Sequence, residues 1–361
     1  MADIVSIATA VPEHCHRQAN IFNFMQEVYE LGDADARKLK FLYDHSGIDT
    51  RYSVIEDFDL PEEKRRFFAK KDANNFPSLE QRMALYEPAA LELSKKAVEN
   101  CIDKWIPPAE ITHLITVSCT GMSAPGIDVQ LVRDLDCRTD IFRTSVNFMG
   151  CYAAVHALKL AKMICDSEPD SNVVIVATEL CTLHFQDEYT EDNAASSLLF
   201  SDGAAAVLVS NQLQSPRSFS LRGFYSQIAF RGERDMAWQL GSKGFIMTLS
   251  GYVPQLISED INGLVNDALQ HHGLSQAEIA YWCIHPGGKR ILDLAGKQLK
   301  LSPDDLCFSR EILRRYGNMS SATILFVLKY MMEHDIQPGA KLMGMAFGPG
   351  LTMETFIAEH T

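Results

Sequence analysis

The feature that most constrains the fold of this 361-residue chain is a pattern that occurs twice. Residues 110–121, EITHLITVSCTG, read as a buried strand entering a glycine-bearing turn, and residues 278–288, EIAYWCIHPGG, repeat that plan. Residues 147–165, NFMGCYAAVHALKLAKMIC, place a glycine before a helix that opens with small residues, and residues 314–333, RRYGNMSSATILFVLKYMME, do the same. GAKLMGMAFGPG, ending at Gly350, echoes SNVVIVATEL, ending at Leu180. The spacing is kept as well: Cys119 and Cys151 are 32 residues apart, His285 and Asn318 33. A duplication with matched spacing implies two similar halves packed face to face. A polar, proline-bearing stretch at Gln214-Ser215-Pro216 places the boundary between a half at 1–215 and a half at 216–361.

Within each half, strand and helix patterns alternate, which argues for an α/β architecture. Residues 3–9 read as a strand, FRTSVNF and DGAAAVLVS as two more, and residues 20–50 and 60–104 as largely helical, with a break at Asn74-Asn75-Phe76-Pro77.

Composition narrows the class of function. A net charge of −14 disfavours nucleic acid or an anionic membrane as principal partner. The nine cysteines are odd in number and form no CxxC pair, so buried free thiols in a reducing compartment explain them best. The N-terminal MADIVSIATAVPEH lacks a basic leader, and no apolar run reaches the ~18 residues of a membrane span. A cytoplasmic location is the expectation.

Three residues carry candidate chemistry. Cys151 follows Gly150 where a helix opens, and unpaired N–H groups and the helix dipole there favour a thiolate, more so beside a histidine. Its alternative role is a small residue packing a helix start. His285 ends a strand, followed by Pro286-Gly287-Gly288, where α/β folds place sites; the alternative is a satisfied core histidine. Asn318 opens the mirrored helix and would serve equally as an N-cap. The duplication puts Cys151 and Asn318 at equivalent helix starts and His285 at the strand end equivalent to Cys119. Halves related by a pseudo-twofold axis would bring all three to one cleft, a coherent acyl-transfer site.

GCYAAVHAL, LFSDGAAA, HPGGKRILD, YGNMSSATILFVL and FGPGLTMETF resemble, in order over residues 110–356, the signature segments of type III polyketide synthases, the chalcone synthase-like family of the thiolase superfamily, with the microbial alkylpyrone and alkylresorcinol synthases the nearer branch. The resemblance implies a duplicated αβαβα five-layered thiolase fold and a homodimer. It implies acyl-CoA and malonyl-CoA as substrates, with no metal or organic cofactor. By motif, Cys151 is the acyl-carrying nucleophile, and a Cys151–His285 ion pair takes the starter. His285 and Asn318 bind the malonyl thioester carbonyl through decarboxylative condensation to a pyrone- or resorcinol-type product. Phe200 is the family's gate to the CoA tunnel, and Gly348-Pro349-Gly350 shapes the cavity wall.

Some positions depart from the family pattern. Met247 stands where the plant enzymes carry a second gate phenylalanine. Cys119, Cys181, His184 and Trp238 occupy positions that tune cavity volume, and the bulk of Trp238 argues against a wide plant-like cavity. Lys38 fits the basic CoA mouth, but Phe41 and His45 follow where further basic residues belong, which leaves room for an acyl carrier protein as donor. Ala124 stands where relatives push a methionine across the dimer interface. The alternatives are a single-step condensing enzyme like ketoacyl carrier protein synthase III, a cysteine hydrolase with Cys, His and Asn in the same chain order, and a non-catalytic scaffold.

Overall fold

A computed structural model of the chain describes residues 1–69 and 76–361. In chain order, the strands are β1 (Asp3–Ala10), β2 (His14–Arg17), β3 (Thr50–Ser53), β4 (His113–Ser118), β5 (Phe142–Asn147), β6 (Asn172–Leu180), β7 (Asp202–Ser210), β8 (Phe219–Ile228), β9 (Met236–Gly241), β10 (Gly244–Leu249), β11 (Ile279–Ile284), β12 (Lys341–Gly348) and β13 (Thr352–His360). The helices are α1 (Gln18–Val28), α2 (Asp33–Asp44), α3 (Leu79–Ile102), α4 (Ile127–Asp134), α5 (Ala153–Ser167), α6 (Glu191–Leu199), α7 (Val253–His271), α8 (Lys289–Leu299), α9 (Cys307–Tyr316) and α10 (Thr323–Met332).

Nine strands join in the order β11-β12-β13-β8-β1-β7-β6-β4-β5. The seam between halves is slight: β1 meets β8 only at Asp3–Ser220 and Ile4–Phe219. Outward from that seam, β1-β7-β6-β4 and β8-β13-β12-β11 repeat one topology. In each, the first two pairings are antiparallel and the last is parallel. β5 extends only the first half.

Layering follows from side-chain alternation along fully buried strands, which show the continuous apolar runs of sheets covered on both faces. On β7, Ala205, Val207 and Val209 enter the core around α5 and α10, while Ala204, Ala206 and Leu208 enter the core under α3. On β6, Val173, Ile175 and Ala177 alternate with Val174 and Val176 in the same way. α5 and α10 touch strands of both halves and form the middle layer, α3 covers the first sheet, and α7 with α8 covers the second. Ala153, Ala154, Ala157 and Ala161 are fully buried on α5, so small residues let this helix pass between two sheets. These are the five layers of a thiolase fold.

One helical expectation fails. Residues 60–69 hold only a short 3-10 turn at Glu62–Lys64. The buried Asp57 carboxylate accepts the backbone amides of Arg66 (3.0 Å), Phe67 (2.8 Å) and Phe68 (2.6 Å), donors that a helix would have used itself. The expected break begins at Asn74 and Asn75, outside the described residues. A capping box of Ser78 and Gln81 then starts α3.

Candidate active site

Cys151 lies in the turn that feeds α5, two residues before the helix proper, rather than in its first turn. The turn needs Gly150, whose φ is +80° and where an added Cβ would lie 2.2 Å from Pro349 Cδ. Behind it, the Gly150 N–H donates to Cys119 Sγ at 2.9 Å. Asn318 is placed in the mirrored way. It follows Gly317, at φ +68°, where a Cβ would come within 3.0 Å of Leu199 O. Its N–H donates to Leu199 O and its carbonyl accepts from Ser201 N–H, both at 2.9 Å. Asn318 Oδ1 accepts from Ser320 N–H at 2.9 Å and from Thr323 Oγ1 at 3.3 Å. Those two bonds fix the amide's orientation and leave Nδ2 as a donor, 3.4 Å from Gly287 O. His285 immediately follows β11, its N–H bonded to Met345 O at 2.8 Å. His285 is 1% exposed, and among the described residues neither Nδ1 nor Nε2 has a hydrogen-bond partner. A buried imidazole with both nitrogens unpaired is costly in a purely structural role.

All three residues line one cavity of about 640 Å³, part of it open to solvent. Phe200, Met247, Trp238, Cys119 and Cys181 share its wall. Burial dominates the electrostatics. It pushes the Cys151 thiol up to about 12, with the Ser320 hydroxyl (3.7 Å from Sγ) and Asn318 opposing and the Glu179 carboxyl reinforcing. It pushes the His285 imidazole down to about 3. Burial thus acts against the thiolate that the helix start favours, and a helix that begins two residues later offers Cys151 less of its dipole.

Trp238 is a wall of that cavity, whereas His184, expected there, does not line it and packs edge-on against Trp238 from behind. His184 Nε2–H donates to Thr120 O at 2.7 Å and Nδ1 accepts from Phe245 N–H at 3.0 Å, so neither nitrogen is free for a ligand. Burial holds that ring neutral too, down to about 3. Trp238 Nε1–H donates to Cys119 O at 2.6 Å, and Trp238 pairs across the β9–β10 hairpin with Met247. Gly350 supplies the left-handed φ of +79° in the turn after β12, whose Pro349 reaches the cavity. Lys38 is not brought in: it is 75% exposed on α2 and paired with Asp35. Lys289 and Arg290, with His45, instead line a mouth of about 810 Å³ that shares Leu249, Gly287 and Ile291 with the main cavity.

Two buried charged residues escaped the sequence reading. Glu179 accepts from Cys119 N–H (2.9 Å), Thr120 Oγ1 (2.8 Å) and Ser321 Oγ, joining the Cys119 loop of one half to the turn carrying Asn318 in the other. Its signal was a lone acid in the apolar strand SNVVIVATEL. Arg51, 3% exposed, donates through Nη1 to Ser197 O (2.6 Å) and Phe200 O (2.8 Å), and through Nε to Gln18 Oε1 (2.9 Å). No pattern in the sequence marks it.

Two solved structures are similar over the whole chain. The polyketide synthase PKS-I of the brown alga Ectocarpus siliculosus superposes with a TM-score of 0.93 at 24% identity, covering 100% of this chain and 98% of its own. The C-terminal type III polyketide synthase domain of Steely1, a type I/III hybrid from Dictyostelium, gives 0.92 at 24%, covering 99% of each. These likenesses establish the fold. The family models are more specific: chalcone and stilbene synthases, N-terminal domain, matches residues 1–212, and chalcone and stilbene synthases, C-terminal domain, matches residues 224–360. With both domains matched in order, the chain belongs to the chalcone and stilbene synthase family, and it is a type III polyketide synthase, an acyltransferase of decarboxylative condensation, rather than a single-step condensing enzyme.

Proposed function

We propose that Cys151, His285 and Asn318 are the reacting residues of this synthase, and that it extends an acyl starter by two or more malonyl units to a pyrone- or resorcinol-type product. The observation that carries this reading is the convergence of a thiol, an imidazole unpaired among the described residues and an oriented amide donor on one largely apolar cavity. Cys151 Sγ attacks the starter thioester carbonyl as its proton passes to His285. That proton leaves on the departing CoA thiol, so the acyl group stays on sulfur and His285 is neutral again. Burial disfavours either charge alone, but the thiolate and imidazolium form together, and the same low dielectric strengthens their attraction.

Malonyl-CoA then breaks its bond to the carboxylate, CO₂ leaves, and the electron pair forms an enolate. His285 N–H and Asn318 Nδ2–H donate to the enolate oxygen; one such donor is worth about 3–4 kcal/mol. The apolar wall of Phe200 and Met247 favours neutral CO₂ over the carboxylate it replaces. The enolate carbon attacks the Cys151 thioester carbonyl, the carbon–sulfur bond breaks, and Cys151 leaves as a thiolate. That thiolate takes back the chain, now on CoA, releasing CoA, which picks up a proton from water, and another round begins. The donor reaches the cavity past Lys289 and Arg290, as CoA or as the phosphopantetheine arm of a carrier protein. The family resemblance carries the further reading that the protein acts as a homodimer in the cytoplasm.

Mass spectrometry of wild type and Cys151→Ala with a panel of acyl-CoAs and malonyl-CoA tests this. The expected result is an acyl adduct on Cys151 and products of two or more extensions, both lost in the variant. Adducts elsewhere, or products after a single extension, would overturn the reading.

A further inference from the structure

The chain leaves β4 at Ser118, and the polar groups of the next two residues show what holds the turn that carries Cys151. Cys119 N–H and Thr120 Oγ1 donate to the Glu179 carboxylate at 2.9 and 2.8 Å. Ser118 O accepts from Phe148 N–H at 3.1 Å. The carbonyls of Cys119 and Thr120 lie beyond the strand, and buried carbonyls need donors. Two ring N–H groups supply them. Trp238 Nε1–H reaches Cys119 O at 2.6 Å, and His184 Nε2–H reaches Thr120 O at 2.7 Å. His184 is oriented in turn by Phe245 N–H, which donates to its Nδ1 at 3.0 Å. Trp238 and Phe245 belong to β9 and β10, so this hairpin is bonded to the loop behind the nucleophile.

The loop passes that constraint on through sulfur. Cys119 Sγ accepts from Gly150 N–H at 2.9 Å, and Gly150 directly precedes Cys151. The same glycine packs so closely on Pro349 that an added Cβ would lie 2.2 Å from Cδ, so the turn is gripped by a ring and a sulfur. Sulfur is a weak acceptor. The bond is made because the loop brings the sulfur to the amide, and the loop stays there because both its carbonyls are held.

Resting on the reading of Cys151 as the nucleophile, we propose that Trp238 is a positioning residue for Cys151: its indole N–H fixes Cys119 O, and Cys119 Sγ fixes the amide beside the nucleophile. The bulk of the ring as a cavity wall is a separate effect. Bulk restricts which acyl chains fit; it does not change how fast Cys151 reacts with a small probe. Loss of the indole donor leaves a buried carbonyl unpaired and slackens the loop, and a reacting group misplaced by about 1 Å can lose about 10²-fold in rate.

A double-variant cycle on the full-length enzyme tests this, read as the rate of Cys151 alkylation by iodoacetamide at pH 7.5 with peptide mapping. Iodoacetamide is small beside a cavity of about 640 Å³, so its rate reports position rather than volume. Trp238→Phe keeps an aromatic ring and removes the donor. Alkylation should slow about tenfold in that variant and in Cys119→Ala, whereas Cys119→Ser, which keeps an acceptor, should stay within about threefold of wild type. The pair Trp238→Phe, Cys119→Ala should be no slower than the slower single variant, because the two residues act in series. Loading from acetyl-CoA should slow in parallel at saturation, with the half-saturating concentration within about threefold of wild type, as for an interaction felt in the chemical step. An unchanged alkylation rate in a folded Trp238→Phe, or losses that multiply in the pair, would overturn the positioning role and leave Trp238 a wall. Absence of any acyl adduct on wild-type Cys151 would instead sink the nucleophile reading; alkylation needs no acyl-CoA and decides the role of Trp238 in either case.

Discussion

At the scale of single residues, burial sets the protonation of the site. His285 and His184 are held neutral down to about pH 3, against about 6.5 in an unfolded chain. Between those values the unfolded state binds one more proton at each ring than the native state does. Stability therefore rises with pH across that window and is lost as pH falls from 6.5 toward 3. Urea titrations at pH 5 and 7 should show this loss, and His184→Ala should remove one proton from it, about 1.4 kcal/mol per pH unit. The same variant leaves Thr120 O and Phe245 N–H unpaired, and it should cost about 2–4 kcal/mol at pH 7. An undiminished pH slope would show that His184 is protonated in the native protein. Cys151 has the opposite sign. Its thiol, held up to about 12, keeps its proton where an unfolded thiol loses it near 9, so its contribution is lost as pH rises between them. Alone it would be unreactive at neutral pH; its reactivity depends on His285 taking the proton. Iodoacetamide alkylation of Cys151 at pH 7.5 should therefore slow at least tenfold in His285→Ala and recover with added base above pH 10. Equal rates in wild type and variant would remove His285 from that role.

At the scale of elements, α6 is where a hidden residue controls the site. Its last turn delivers Phe200 to the cavity wall, and Leu199 O and Ser201 N–H bracket Asn318. Arg51 on β3 caps the Ser197 and Phe200 carbonyls through one nitrogen, Nη1, a cation at the negative end of a helix. Arg51→Lys keeps the charge but loses the Nε bond to Gln18 and the planar group that holds Nη1 against both carbonyls. It should cost about 2–4 kcal/mol of stability and lower kcat for extension at least tenfold. Acyl loading measured by mass spectrometry should stay close to wild type, because Cys151 sits on a different element. Unchanged kcat would show that the turn holds Asn318 without the clamp. α6 and Arg51 also show what the sequence hides. β4, β6, β7, α5 and α10 were legible because apolar runs and small-residue helix starts are local signals that the duplication states twice. The β9–β10 hairpin and α6 have no counterpart in the other half, and their sequences alternate weakly because one face meets a ligand space rather than a core. Arg51 bonds two backbone carbonyls, Ser197 O and Phe200 O, far along the chain, and no spacing rule reports such partners.

At the scale of the whole molecule, the duplication explains why the three reacting residues could be found at all. The topology outward from the β1–β8 seam is the same in both halves, so residues at matched offsets emerge at the same level of the middle layer. The chemistry then divides between halves, a nucleophile from one and its partners from the other. What the repeat could not foretell is the hold on the Cys119 loop, because Trp238 sits on the unrepeated hairpin. The halves also differ at their outer edges, and that difference bears on assembly. β5 is the extra strand, and Phe142, Arg143, Thr144 and Ser145 along it are exposed, with Phe142 at 66%. An unprotected edge carries a row of unpaired N–H and C=O groups that another strand can satisfy. Met122, 51% exposed, adds apolar surface from the loop after β4. A second copy offering its own β5 across a twofold axis would pair edge with edge and continue the sheet. Light scattering should then give twice the 40.4 kDa chain mass for the wild type. The double variant Phe142→Lys, Thr144→Lys places like charges across such an axis and should shift the protein to monomer at micromolar concentration. Both positions are exposed, so its thermal unfolding should move by little more than the loss of the partner explains. A monomeric wild type, or a charged variant that still sediments as a dimer, would mean that this edge faces water and that copies associate elsewhere.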